Sequence, residues 1–272
     1  MGLLILAAIL AVVLGWTLRD VLFTGWRRAR LRARPFPHEW REHLRRRVPY
    51  VRSLPADLQL QLKKHIQVFL AEKPFVGCDG LEVTDEMRVT IAAQACLLLL
   101  NRRTDYFPNL TEILVYPGRF IVDREVSDGI GLARRDRSVL AGESWSSGQV
   151  ILSWDDAVAG AERADDGFNV VIHEFAHQLD QENGAANGAP FILTRARRER
   201  WADVLGREYA ALQSRIARGE PSLIDAYGAT NPAEFFAVVT EFFFERPQEL
   251  AAEHPGLYAE FSRFYRVNPL SW

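Results

Sequence analysis

The chain is poor in cysteine, nearly balanced in charge and free of internal repeats. Its two cysteines, Cys78 and Cys96, do not form a CxxC pair, which argues against a disulfide framework or a cysteine-ligated zinc site. Both are expected to be buried thiols of a protein in a reducing compartment. The formal net charge of −2 gives no case for direct nucleic-acid binding.

The most informative stretch is FNVVIHEFAHQLDQ, residues 168–181, which contains an HExxH motif. In an α-helix, His173 and His177 lie on one face one turn apart, so both imidazoles can bind one zinc ion. Glu174 is then placed to deprotonate a metal-bound water, whose pKa zinc lowers to roughly 7. The motif therefore supplies two metal ligands and a general base.

The residues around the motif predict a buried amphipathic helix. Residues 165–167, Asp-Asp-Gly, give a capping signal, and Val171, Phe175 and Leu179 recur at helical spacing as an apolar stripe. A core helix with merely hydrogen-bonded histidines is the alternative. Two histidines that flank a glutamate at this spacing favour the metal site.

A zinc peptidase needs a third protein ligand, because water occupies the fourth position. The metzincin continuation HExxHxxGxxH is excluded, since Asp180 and Asn183 stand where its glycine and third histidine would be. In the glutamate-ligand class the third ligand comes from a second helix. The apolar segment of residues 227–244 offers Glu234 and Glu241, and a carboxylate on an apolar face is costly unless it is paired or metal-bound. Spacing leaves both residues as candidates.

The segments HEFAHQLD and DAYGATNPAEFFAVVTEFFF resemble the Mlc titration factor A family of bacterial zinc peptidases, and the second is also similar to the active-site helix of anthrax lethal factor. The resemblance to the titration factor family runs from about Pro37 to Leu270 and includes IGLARRDRSVLAGESWSSGQVILSW. It implies that Glu234, in AEFFA, is the third ligand. Tyr227 then borders the site and hydrogen-bonds the oxyanion, while Glu241 accepts a hydrogen bond from a ligand histidine.

This resemblance implies a zinc-dependent peptidase of the gluzincin type, with aminopeptidase-like cleavage of short peptide or protein substrates. The alternative is a regulatory binding protein that sequesters a transcriptional repressor of sugar uptake, the property for which the family is named. The complete set of metal and base residues favours chemistry, since binding alone would not require Glu174.

The remaining acidic and histidine residues near the motif have structural interpretations. Asp180 follows His177 by three residues and is expected to orient a ligand histidine, with an exposed carboxylate at the helix end as the alternative. His43, His65 and His254 lack a metal-like partner and are expected to be structural.

The N-terminus departs from the soluble members of that family. Residues 2–18 are almost entirely apolar and just reach the roughly 17 residues that a membrane helix needs. Neither a basic segment before this run nor a small-residue cleavage site is visible, so it is not a secretory signal. Arginines follow at positions 27, 28, 30, 32 and 34, and the positive-inside rule places the next domain in the cytoplasm. We therefore predict a single-pass anchor of the cytoplasmic membrane with a basic linker in residues 1–34; a helix packed on its own soluble domain is the alternative.

Residues 35–272 are predicted to form one zincin-like α+β domain. A chain of 272 residues, 48% of them hydrophobic, is long enough to bury the core of such a domain. Helices are predicted at Ala56–Phe69, Met87–Leu100 with Asp85 as cap, Arg195–Arg218, Asn231–Phe244 and Glu253–Tyr265. Short β-branched runs between residues 111 and 154 predict a small mixed sheet. Its strand Gln149–Trp154 is either an edge strand beside the metal helix, to which an extended substrate adds, or an internal strand.

Overall fold

The computed structural model describes residues 2, 6, 13, 23–128, 132–140, 142–145 and 148–272. Its helices are α1 (residues 23–33), α2 (His38–Arg47), α3 (Ala56–Glu72), α4 (Asp85–Leu97), α5 (Trp154–Glu162), α6 (Val170–Asp180), α7 (Arg195–Ala217), α8 (Pro232–Glu245), α9 (Pro247–Glu253) and α10 (Pro255–Tyr265). Its strands are β1 (Phe75–Gly77), β2 (Glu112–Tyr116), β3 (Phe120–Asp128), β4 (Leu132–Leu140), β5 (Gly142–Trp145) and β6 (Gln149–Ser153). The predicted α+β class is confirmed.

The main sheet is small and mixed, with the strand order β1-β2-β6-β5. Strands β1, β2 and β6 are parallel, with Val76 opposite Leu114 and Leu114 opposite Ile151. Strand β5 runs antiparallel to β6, with Ser144 opposite Val150. Strands β3 and β4 form a separate antiparallel pair.

Of the two predicted positions for the strand Gln149–Trp154, the internal one is confirmed and the edge position is wrong. Strand β6 lies inside the sheet, paired with β2 on one side and with β5 on the other. Its consecutive residues Val150, Ile151 and Leu152 are buried, because both faces of an internal strand are covered. The edge strand that contacts α6 is β5. In the part of the chain that the structure describes, β5 pairs only with β6.

Most of the predicted helices are present, but several ends differ. Thr84 rather than Asp85 caps α4, since Thr84 Oγ1 accepts a hydrogen bond from the Met87 N–H at 3.3 Å. The predicted helix Glu253–Tyr265 begins two residues later, at Pro255, which has no N–H and starts α10. Glu253 is instead the last residue of the separate helix α9. Cys96 is buried as expected, whereas Cys78 is only partly buried, and both thiols are free.

The metal helix α6 packs between two aromatic groups of the core. Its predicted stripe of Val171, Phe175 and Leu179 is buried. The Phe175 ring packs at a steep angle against Phe69 and Phe107, with ring centroids 5.7 and 4.9 Å apart. On its other side lies α8, whose own aromatic side chains pack against α7 and α10. The relative position of α6 and α8 is therefore set by the core.

The predicted anchor falls mostly outside the described residues, of which only 2, 6 and 13 precede α1. No helix in the described parts of the chain is long and apolar enough to cross a membrane. Two of the linker arginines bind the domain: Arg28 Nε and Nη2 donate to the two carboxylate oxygens of Glu72 at 2.9 and 2.8 Å, and Arg27 Nη2 donates to Glu72 Oε1 at 2.9 Å. Helix α1 is thus attached to α3.

Candidate metal centre

Helices α6 and α8 bring two histidines and one glutamate together. His173 Nε2 lies 3.0 Å from Glu234 Oε2 and 3.2 Å from His177 Nε2, and the third side of the triangle, from His177 Nε2 to Glu234 Oε2, is 3.4 Å. Donors about 2.0–2.1 Å from a tetrahedral zinc stand roughly 3.3 Å apart. The triangle therefore has the size that one zinc ion requires, and these residues fit the predicted metal.

The helix caps determine where these ligands point. Asn169 Oδ1 accepts from the Ile172 N–H at 3.0 Å and begins α6, so that the two histidines fall in the middle of that helix. Asn231 caps α8: its Oδ1 accepts from the Glu234 N–H at 3.0 Å, with Pro232 in the first turn. Glu234 thus sits at a helix N-terminus, where the helix dipole favours a negative charge.

The charges of the cluster are those of a cation site. Burial opposes ionisation of Glu234, but hydrogen bonds from His173 and His177 outweigh it and hold the pKa of Glu234 well below its usual range. Burial also favours neutral His173, yet the carboxylates of Glu241 and Glu234 outweigh this and raise the pKa of His173. Metal binding by such ligands is coupled to the release of protons, so metal affinity should depend on pH.

Glu241 has the contact that was expected of it. Its Oε1 lies 2.7 Å from Nδ1 of His173, and the side chain is only 3% exposed. A carboxylate that accepts a hydrogen bond from Nδ1 keeps the imidazole proton on that nitrogen. Nε2 is then free to bind a metal.

The Glu174 carboxyl group is buried between α6 and strand β5. The Glu174 side chain passes so close to Gly142 that a Cβ on this glycine would lie 2.7 Å from Glu174 Oε1 and 2.8 Å from its Cγ. Burial raises the pKa of Glu174 to about 7. A carboxyl group with a pKa near the working pH is suited to accept and return a proton.

Tyr227 lies next to the first histidine, in the short 3-10 turn Ala226–Ala229 that packs against α8. Its ring centroid is 5.9 Å from that of His173, and 51% of the residue is exposed. The backbone N–H of Tyr227 donates to Asp225 Oδ1 at 2.7 Å, which holds the turn. The aromatic ring therefore lies beside the candidate metal ligands.

Both interpretations of Asp180 are wrong. Its side chain is fully buried, so it is not an exposed carboxylate, and its Oδ2 accepts from the Gly188 N–H at 2.7 Å rather than from a histidine. Gly188 has φ +75°, and its carbonyl accepts from Trp201 Nε1 at 3.0 Å. Asp180 thus holds the loop that follows α6, and Trp201 connects the same loop to α7.

The other histidines are structural, as predicted for His65 and His254. His65 Nδ1 lies 3.0 Å from Tyr106 Oη, and burial lowers the pKa of His65 to about 4. His254 Nδ1 lies 2.8 Å from Glu208 Oε2. Within the described residues, the group of side chains that can hold a metal consists of His173, His177 and Glu234, whose ligand atoms lie within 4.8 Å of one another.

Two residues beside the site were not predicted from the sequence. Asn169 and Glu245 are buried and hydrogen-bonded to each other, Asn169 Nδ2 to Glu245 Oε1, at 2.9 Å. A signal existed for Glu245, which is a further carboxylate four residues after Glu241 in the same apolar run. For Asn169 the signal was its position just before an apolar helix, where asparagine is a favoured cap.

Two histidines one helical turn apart, a glutamate from a second helix and a buried carboxyl beside them are the arrangement of a metallopeptidase site. The sequence comparisons agree with this class. A family model described as Glucose-regulated metallo-peptidase M90 matches residues 23–266, and the chain belongs to this family.

The chain is similar to named relatives over most of its length. It is 42% identical over 267 residues to the uncharacterized protein slr2042 of Synechocystis sp., which covers 98% of this chain and 96% of that protein. It is 38% identical over 226 residues to Mlc titration factor A of Enterobacter sp. and 39% identical over 227 residues to that of Klebsiella pneumoniae, which in each case covers 82% of this chain and 84% of the relative. The predicted resemblance to the titration factor family is confirmed.

Proposed function

We propose that this protein is a zinc-dependent peptidase of the gluzincin type, in which His173, His177 and Glu234 bind zinc. The observation that carries the proposal is the triangle of ligand atoms, with sides of 3.0, 3.2 and 3.4 Å, beside a buried general base. A pure binding protein would have no need of Glu174 at this place. Family membership supports the same class.

Each nearby side chain has a separate task in this proposal. Bound zinc would polarise the scissile carbonyl and lower the pKa of a water molecule. Glu174 would hold that water and accept its proton, since its pKa of about 7 suits proton transfer in both directions. Tyr227, beside His173, would donate a hydrogen bond to the developing oxyanion.

Strand β5 is the proposed binding edge for an extended peptide. It pairs only with β6 among the described strands, and its first residue Gly142 touches Glu174. A peptide that pairs with the other edge of β5 would bring its backbone close to the general base. The resemblance to the titration factor family implies aminopeptidase-like cleavage of short substrates.

The test combines metal analysis with digestion of a peptide library by the purified full-length protein. We expect about one zinc per chain and defined cleavage products. The matched control is Glu174→Gln, which keeps the shape of the side chain but cannot take a proton, so it should retain zinc and lose hydrolysis. Turnover close to that of the unchanged protein in a zinc-loaded Gln variant would contradict the mechanism.

A second function is favoured by the relatives named Mlc titration factor A, because the matched region covers 82% of this chain and 84% of each relative. We propose that this protein also binds a transcriptional repressor of sugar uptake. Calorimetry with purified Mlc and the Glu174→Gln variant separates the two functions, because binding should survive the loss of hydrolysis. No heat of binding at concentrations up to about 100 μM would reject this second function.

We also propose that the apolar run of residues 2–18 attaches the protein to the cytoplasmic membrane with the peptidase domain on the cytoplasmic side. The proposal rests on the length of the run and on the arginines after it. Carbonate extraction of membranes should leave the full chain in the pellet. A reporter fused to the C-terminus should be active in the cytoplasm, and release by carbonate or a periplasmic signal would contradict the proposal.

A further inference from the structure

A chain of buried polar groups continues behind His173, beyond its contact with Glu241. Glu241 uses Oε1 for His173 Nδ1, and its Oε2 accepts from the backbone N–H of Asn169 at 2.5 Å. The Asn169 side chain then donates from Nδ2 to Glu245 Oε1 at 2.9 Å. Glu245 Oε2 accepts in turn from the Gly167 N–H at 3.1 Å. The groups from Gly167 to His173 are thus connected by one hydrogen-bonded path.

Asn169 is the junction of this path. Its Oδ1 caps α6 through the Ile172 N–H, while Nδ2 also donates to the carbonyl of Gly160 in α5, 3.2 Å away. A serine or aspartate would serve equally well as a cap. The amide group of asparagine is needed here because Glu245 and Gly160 both require a donor.

Burying these polar groups lowers the stability of the fold, which indicates that they have a role besides stability. Asn169 is fully buried, and Glu241 and Glu245 are 3% and 8% exposed in an otherwise aromatic segment of α8. Buried carboxylates are rarely better for stability than apolar side chains of the same size. All their oxygen atoms accept hydrogen bonds, so the orientation of each carboxyl plane is determined.

We propose that Asn169 and Glu245 are positioning residues for the metal ligand His173 and act on it through Glu241. Glu245 holds the Asn169 side chain and thereby the position of the Asn169 backbone, whose N–H donates to Oε2 of Glu241. The remaining Oε1 of Glu241 fixes the ring of His173, with Nε2 in the ligand triangle. This inference rests on the proposed metal site. It predicts that metal affinity depends on residues that have no contact with the metal, by the roughly 10- to 100-fold typical of groups that orient a ligand.

The test measures zinc affinity of the full-length protein by competition with a chromophoric chelator. The variants are Glu245→Leu, which removes both acceptors, Glu245→Gln, which keeps one, and Asn169→Asp, which keeps the cap but loses the Nδ2 donor. We expect affinity to fall by about 10- to 100-fold for Glu245→Leu and Asn169→Asp, and less for Glu245→Gln. Thr84→Ala removes the cap of α4 away from the site and is the matched control, with affinity expected within about twofold of the starting protein.

Action through Glu241 is tested by a double-mutant cycle and by a spectrum. In a Glu241→Ala background, Glu245→Leu should weaken zinc affinity by less than about twofold, because the intermediary is already lost. The visible spectrum of the cobalt-substituted protein should change in Asn169→Asp but not in Thr84→Ala. Additive losses in the cycle would show a general structural role and overturn the inference.

The outcomes are distinguishable. Zinc affinities within about twofold of the starting protein in folded Asn169→Asp and Glu245→Gln overturn the inference, even where Glu245→Leu does not fold. Absence of zinc binding by the unchanged protein would instead overturn the metal site itself, and with it the proposed function.

Discussion

Gly142 and Glu174 touch across the boundary between strand β5 and helix α6: a Cβ on Gly142 would lie 2.7 Å from Glu174 Oε1 and 2.5 Å from Val170 Cγ2. The strand approaches the proposed general base this closely only because the residue is glycine. This contact holds the proposed binding edge and the proposed general base in one fixed relation.

Gly142→Ala should lower kcat/KM by about 100-fold, because displacing a catalytic group by about 1 Å has that order of effect. Zinc content should be unchanged, since the metal ligands are not contacted. The matched control is Gly206→Ala in α7, where an added Cβ meets nothing within 4 Å. Peptidase kinetics of the two variants check this, and equal rates would show that the contact with Glu174 is irrelevant to turnover.

The two carboxylates of α8 are expected to differ in their effect on zinc. Glu234→Ala should lose zinc and activity together, because Glu234 Oε2 is 3.0 Å from His173 Nε2 and belongs to the ligand triangle. Glu241→Ala should weaken zinc affinity by roughly 10- to 100-fold, since it only orients His173. Zinc titrations of both variants provide the measurement. Stoichiometric zinc in the first and loss of zinc in the second would reverse the assignment.

Tyr227→Phe should reduce kcat by about 100- to 1,000-fold with little change in zinc affinity, as expected for the loss of one oxyanion donor. The ring remains beside His173 in this variant, so packing is conserved. Steady-state kinetics with a cleaved library peptide provide the measurement. A change in KM alone would place Tyr227 in substrate binding rather than in stabilisation of the oxyanion.

His65 should make the stability depend on pH. Burial holds its folded-state pKa at about 4, below the value of about 6.5 expected in the unfolded chain, so protonation favours unfolding. Its contribution is complete above about pH 6.5 and is lost as the pH falls towards 4. Between pH 7 and pH 5 this amounts to about 2 kcal/mol. Urea unfolding measures this. Between pH 7 and pH 5, the free energy of unfolding of His65→Gln should fall by about 2 kcal/mol less than that of the unchanged protein. The control is His38→Gln at an exposed position, for which the fall should equal that of the unchanged protein.

Local patterns were sufficient to predict helix α6 and its two candidate histidine ligands. The apolar stripe of α6 and the spacing of His173 and His177 depend only on helical periodicity, and both are present in the fold. The choice of Glu234 over Glu241 required the family resemblance, because both residues lie on one helix seven positions apart.

Long-range pairing was not predictable from one sequence. The position of β6 inside the sheet depends on which strands pair with it, and the run QVILSW is consistent with a central or an edge strand. The contact between Asn169 and Glu245 joins residues 76 positions apart, and Asp180 finds its partner in a loop whose path the sequence does not specify.

The ion pairs of α1 determine where a shortened form of this protein can begin. Glu72 is nearly buried, with 9% of its side chain exposed, and receives Arg27 and Arg28 from α1. In addition, Gln67 Nε2 donates to the carbonyl oxygens of Arg34 and Pro35 at 3.1 and 3.3 Å. A chain cut at residue 35 would leave the Glu72 carboxylate without these partners and would expose the surface of α3 that α1 covers. Recombinant production is therefore expected to yield a more stable, less aggregating domain when the chain retains Arg27 and Arg28 than when it starts at residue 35.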